Sequence, residues 1–240
     1  MMNSTNANKS AYLDALGIRQ WVLRDSGSGE LAEAVEVGSE CVQQGNEIKV
    51  SADELQRFDL SGLAKHVADC KACALHSTRK QTVFGTGHHK ADWLIIGEAP
   101  GADEDRQGEP FVGRAGQLLT QMLRAIGLAR EEVFIANILK CRPPNNRDPK
   151  AEEVSACRHY LNRQIELLQP KIILALGRIA AQSLLQTDTP IGKMRGRLYH
   201  LDQYQIPTVV TYHPAYLLRS PKEKRKVWED LKFARQQVLG

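Results

Sequence analysis

The chain has 240 residues, 42% hydrophobic and 25% charged, with a formal net charge of +4, a mixture that suits one ordinary globular domain with an appendage. No apolar run approaches the roughly 20 residues of a membrane span, and the start lacks the basic-then-apolar layout of a secretory signal, so a cytoplasmic protein is expected. Five Cys, an odd number without an export signal, speak against a disulfide framework and for reduced thiols or metal ligands.

The charge is unevenly spread. Residues 1–60 hold 5 Lys and Arg against 10 Asp and Glu, which leaves the remainder 27 of the 32 basic residues against 18 of the 28 acidic ones. A basic body of that kind favours a polyanionic partner through counterion release, although many basic domains bind no nucleic acid. Residues 1–58 are acidic, lack sustained apolar periodicity and read as a flexible extension, with the working domain over 59–240. Within the extension, 12–24 (YLDALGIRQWVLR) carries Leu13, Leu16, Trp21, Val22 and Leu23 in a short amphipathic block. The block either docks on a partner or packs back on its own chain. It is similar to the LGIxQW-like start of the psi subunit of the bacterial replicative polymerase, a resemblance that implies a replication-protein contact through residues 12–24.

From residue 60 the pattern becomes strands alternating with helices. Segments 93–96, 133–139, 172–176 and 208–211 are short, apolar and partly β-branched, as strands buried on both faces are. Segments 115–126, 151–168, 179–185 and 222–238 have helical spacing. The order predicts an α/β fold, three-layer αβα, around a central, mainly parallel four-stranded sheet. Ligands in such sheets sit at the carboxyl ends of the strands, where this chain places Glu98, Asn137 and His213. Those three are expected to share one cleft. Taken alone, each also reads as an ordinary loop or cap residue.

Three blocks, GEAPGADEDRQGEPFVGRAGQLL (97–119), FIANILKCRPPNNRDP (134–149) and HPAYLLR (213–219), resemble the signature blocks of type 4 uracil-DNA glycosylases, in the same order. The resemblance runs from about Leu60 to the C-terminus and leaves the first sixty residues uncovered. It implies hydrolysis of the N-glycosidic bond of a deoxyuridine flipped out of DNA, by a monomer that uses water without a covalent lyase step. His213 then donates to uracil O2 as the anion forms, and Asn137 offers a donor and an acceptor to O4 and N3–H. Glu98 holds or polarises the water, Phe111 stacks on the base, and Ala99 and Gly101 border it. The wider superfamily often has Asp where this chain has Ala99, which leaves the water-handling role resting on Glu98. Glu104, or Asp105 in its place, walls the C5 side of uracil. Leu217 or Leu218 wedges into the gap left by the extruded nucleotide while Arg219 meets phosphate; Lys140, Arg142, Arg147, Lys193, Arg195 and Arg197 are further cations for the backbone.

Cys70 and Cys73 form a C-x-x-C pair, and Cys141 and Cys157 follow at wide spacing. A lone pair of this kind serves zinc, redox chemistry or nothing, and the absence of a second C-x-x-C favours iron and sulfur over a zinc ribbon. The resemblance implies a [4Fe–4S] cluster on these four residues, with Cys41 left out. Two other readings stay open: a noncatalytic cluster- or metal-stabilised DNA-binding module, and a glycosylase acting on a wider set of deaminated bases.

Overall fold

The computed structural model describes residues 55–239. The 12–24 block and residues 1–54 of the expected extension lie outside the described residues. Leu55 and Phe58 already pack with the core beside Leu63, Val67 and Tyr160.

Helix α1 (Leu60–Ala68) opens the body, with Asp59 as its N-cap accepting from Gly62 N at 2.7 Å and with Leu60, Leu63 and Val67 on its buried side. Then come β1 (Thr86–Gly87), β2 (Trp93–Gly97), α2 (Ala102–Gln107), α3 (Arg114–Ala125), β3 (Phe134–Asn137), α4 (Ala151–Leu168), β4 (Ile172–Leu176) and α5 (Arg178–Leu185). The chain ends with α6 (Ile191–Met194), β5 (Leu198–Leu201), β6 (Ile206–Thr211), α7 (Pro214–Arg219) and α8 (Lys224–Leu239).

The sheet has six strands in the order β1-β3-β2-β4-β6-β5. The four inner strands, β3, β2, β4 and β6, are parallel and are the four expected from the sequence. The expected count was short by two antiparallel edges, β1 on β3 and β5 on β6. Two-residue β1 has no periodicity to detect, and β5 alternates between exposed and half-buried residues, as a solvated edge does.

Successive side chains of the inner strands go to opposite faces, and each face meets its own helices. Trp93, Ile95, Ile135, Ile172 and Leu174 pack with Leu119, Leu123, Leu217, Val227 and Leu231 of α3, α7 and α8. Leu94, Ile96, Phe134, Ala136 and Ile173 pack with Leu60, Leu161, Ile165 and Ala180 of α1, α4 and α5. This is the expected three-layer arrangement. Because β3 lies on one side of β2 and β4 on the other, the connections leave β2 and β4 towards opposite faces, and a crevice opens beyond their carboxyl ends. No helix among the described residues is long and apolar enough to cross a membrane.

Candidate active site

A cavity of about 450 Å³ occupies that crevice, and Glu98, Asn137 and His213 all line it, together with Ala99, Gly101, Glu104, Phe111 and Arg219. The loops after β2 and β3 are clipped together by Ile138 N donating to Gly97 O (2.9 Å) and Leu139 N donating to Glu98 O (3.1 Å). Residues 138–139, expected as strand, lie beyond the end of β3, Ile138 bonding the last residue of β2 and Leu139 the turn that follows it.

Asn137 is the last residue of β3 and is 2% exposed. Its Oδ1 is buried and has no hydrogen-bond partner, which leaves a desolvated acceptor facing whatever enters the cavity. Gly97 makes room for it: a Cβ there would collide with Asn137 Oδ1 and stand 2.7 Å from the Phe111 ring.

Phe111 is buried and sits at φ +54°, a left-handed backbone that a bulky residue adopts only when its surroundings impose it. Several contacts do so. Glu104 Oε1 accepts from Val112 N (3.0 Å) and Gly113 N (3.2 Å), Glu104 Oε2 accepts from Gly101 N (3.1 Å), and Arg130 Nη2 donates to Pro110 O (2.5 Å). Gly116 of α3 lies so close beneath Phe111 that any Cβ would strike its carbonyl carbon. The Glu104 carboxylate, expected as a wall for the C5 side of a pyrimidine, is thus bound to three amides that fix the Phe111 loop. Asp105, the stated substitute, is 2% exposed and accepts from Lys80 N at 2.9 Å, and it is absent from the cavity lining.

His213 caps α7: Ala215 N donates to its Nδ1 at 3.1 Å. An accepting Nδ1 is unprotonated, so the single ring proton belongs to Nε2, on the opposite edge of the imidazole. Burial, assisted by Arg219, lowers the His213 pKa to about 4 and keeps the ring neutral. Its centroid is 5.5 Å from that of Phe111, with the planes 31° apart. Burial also raises the Glu98 carboxyl to about 7; Asp148 adds to the effect and Arg178 opposes it. Asp148 and Arg178 are themselves paired at 2.7 Å.

The wedge assignment divides. Leu217 is 1% exposed and belongs to the core of one sheet face, so it cannot enter DNA; Leu218 is 39% exposed and Arg219 lies at the cavity mouth. Tyr216, to which the sequence reading gave no role, is 36% exposed, lines the cavity and packs on Tyr212 with centroids 5.0 Å apart. Two of the expected phosphate-binding cations are committed to partners within the protein. Lys140 is 1% exposed, and half-buried Arg195 is engaged by Asp230, donating to its Oδ2 at 2.7 Å. Arg147 is held by both oxygens of Glu153.

Cys70, Cys73, Cys141 and Cys157 line one small separate pocket with Arg79, Lys140 and Tyr160. Three N–H groups point at sulfur: Arg79 Nη1 at Cys141 (3.0 Å), Lys140 N at Cys157 (3.2 Å) and Ala72 N at Cys70 (3.5 Å). Burial pushes the Cys141 thiol up to about 11 and the Cys157 thiol up to about 12, and the cysteines raise one another. Such thiols become thiolates only against a metal charge. Among the described residues no three Cys, His, Asp or Glu side chains are gathered as one metal ion requires. Four thiolates also saturate a metal, leaving no open position for water. Arg79, which joins this pocket by donating to Cys141 Sγ and to the Ala68 and Cys70 carbonyls, had no sequence signal.

A family model described as the uracil DNA glycosylase superfamily matches residues 84–232. The chain is 45% identical over 179 residues to the type-4 uracil-DNA glycosylase of Archaeoglobus fulgidus, covering 72% of this chain and 90% of that one. It is 44% identical over 177 residues to the type-4 uracil-DNA glycosylase of Thermotoga maritima, covering 72% and 91%. Similarity to the type-5 uracil-DNA glycosylase of Pyrobaculum aerophilum is lower, 30% over 149 residues, or 55% of this chain and 64% of the relative.

Proposed function

The chain belongs to the uracil DNA glycosylase superfamily, and from that premise we propose that it is a monofunctional uracil-DNA glycosylase of base-excision repair. It acts as a cytoplasmic monomer on uracil-containing DNA, releasing free uracil and leaving an abasic site. The observation that carries the reading is the unpartnered, buried Oδ1 of Asn137 in the same cavity as the Phe111 ring and His213.

A deoxyuridine extruded from the stack lays its base against Phe111. Asn137 Oδ1 accepts the uracil N3–H and the amide nitrogen donates to O4. Cytosine presents an acceptor at N3 and a donor at C4, so it leaves both ends of the amide mispaired and is rejected. As the C1′–N1 bond breaks, its electron pair passes to uracil and charge gathers on O2. His213 Nε2–H meets that charge as a neutral donor already in place, and loss of such a contact costs roughly 2.7 to 4 kcal/mol. The ionised Glu98 carboxylate orients the water whose oxygen joins C1′ and accepts its proton. Leu218 fills the vacated stack and Arg219 meets phosphate.

The cysteine pocket fits an iron–sulfur group: four sulfur donors on one pocket and N–H groups aimed at three of them. Cys70, Cys73, Cys141 and Cys157 would hold a [4Fe–4S] cluster, which when bound supplies a crosslink between the segment after α1, the turn after β3 and α4. This chain's residues then carry all of the hydrolytic chemistry.

The test is release of uracil from an oligonucleotide, scored by alkali cleavage of the abasic product. Activity in wild type and a loss of about 10²-fold or more in His213→Ala is expected. Full activity in His213→Ala would remove the leaving-group donor, and wild-type DNA binding without release would favour a binding module.

A further inference from the structure

We propose that Lys140 is a positioning residue that couples the cysteine pocket to the base-reading end of β3; the inference rests on Asn137 reading uracil as described above. Lys140 is 1% exposed and is gripped at three points. Its amide donates to Cys157 Sγ at 3.2 Å, its carbonyl accepts from Val83 N at 2.8 Å, and Cys141 follows it in the chain. Its Nζ turns back to donate to the backbone oxygen of Asn137 at 2.9 Å and to Gln164 Oε1 at 2.6 Å. Gln164, wholly buried, is fixed in turn by donating to Phe84 O at 2.9 Å.

Cys141 and Cys157 line the same pocket as Lys140, and the amide contact to Cys157 Sγ ties residue 140 to that centre. Lys140 therefore answers to the cysteine centre and holds the backbone of the residue that selects the base. A movement of residue 140 with its two cysteines is passed, three residues back, to the Asn137 carbonyl. Asn137 Oδ1 itself has no hydrogen bond, so the side chain takes its position from the backbone that Lys140 holds.

The test compares the holoenzyme with Lys140→Met, Asn137→Ala and the double variant, measuring iron and sulfide content and the binding of free uracil by calorimetry. With iron unchanged, Lys140→Met is expected to weaken uracil binding about tenfold, the scale of one hydrogen bond from a charged donor. In the Asn137→Ala background the same substitution should then change binding by less than about twofold, because a residue acting through another loses its effect when that residue is gone. Wild-type affinity in an iron-replete Lys140→Met protein, or an undiminished loss in the double variant, would overturn the coupling. Should Lys140→Met fail to retain iron, Gln164→Met removes the shorter Nζ contact while sparing residue 140: weaker uracil binding supports the proposal and unchanged binding overturns it. Unchanged binding in Asn137→Ala alone would instead sink the pocket assignment on which the inference stands.

Discussion

Excision is expected to fail on the acid side through protonation of Glu98, with His213 unchanged. The Glu98 carboxyl is raised to about 7 by burial, with Asp148 adding to the shift, whereas the His213 pKa is lowered to about 4. A carboxylate that must be ionised to orient water is roughly a tenth active one pH unit below its pKa and roughly a hundredth two units below. The logarithm of kcat/KM should therefore rise with unit slope up to about neutral pH and then level, while His213 keeps its Nε2 proton throughout. Glu98→Gln should lower the plateau and abolish the slope. Asp148→Asn should move the limb towards acid, because it removes the repulsion and frees Arg178 from its partner. The assay is single-turnover uracil release from single-stranded oligonucleotide across the pH range, which avoids any effect of duplex melting. A wild-type profile flat to well below neutrality, or a neutral limb that survives in Glu98→Gln, would refute the assignment. Stability gives an independent sign: a carboxyl raised from 4.5 to about 7 on folding costs stability as pH rises through that window, so Glu98→Gln should raise Tm at alkaline pH and have little effect at acid pH.

Leu217→Ala should cost roughly 2 to 5 kcal/mol of stability in denaturant titration, as a large-to-small change in a filled core does. Leu218→Ala should stay within about 0.5 kcal/mol of wild type yet slow release from duplex more than from single strands. Glu104→Ala, which strands three amides and frees the Phe111 loop, should lower Tm and raise KM for uracil DNA together, with Glu104→Gln intermediate; an unchanged KM would show that Phe111 keeps its place without it. Cys157→Ser should reduce bound iron, measured chemically and by visible absorbance, and expose the segment around Cys70 and Cys73 to protease; full iron content would remove Cys157 from the ligand set.

The four inner strands were legible because burial on both faces demands a continuous apolar run, and Trp93, Ile95, Ile172 and Leu174 supply it towards one helical layer while Leu94, Ile96 and Ile173 supply it towards the other. The edges β1 and β5 follow different physics. They are held by backbone pairing to a neighbour already in place, so their side chains need carry no pattern. Helix α1 was overlooked although Asp59 and its spacing of Leu60, Leu63 and Val67 were readable, because in the sequence it directly follows the acidic stretch where no core was expected.

At the site, chemistry was legible by residue type and strand position, but the direction of each side chain was not. Glu98, Asn137 and His213 meet in one cavity as the strand-end rule anticipates, and Phe111 joins them from the loop ahead of α3. The burial of Leu217 and the amide contacts of Glu104 were not legible for one reason: both residues lie in blocks that carry the active-site loops, and a block does not say which way its members face. The fold decides that through the helical turn. In α7, Leu217 falls on the side that packs against α3 and α8, which leaves its neighbours Tyr216 and Leu218 on the side towards solvent. In α2, Glu104 is the third residue, where a carboxylate naturally folds back onto free amides at the helix start. Glu104 lines the cavity while its carboxylate is claimed by those amides as well. The same competition explains Lys140, a cation in a basic loop by sequence and an internal strut in the fold: once Cys141 and Cys157 are drawn to one pocket, the side chain between them and Asn137 has no path to solvent, and its charge is used where it lies.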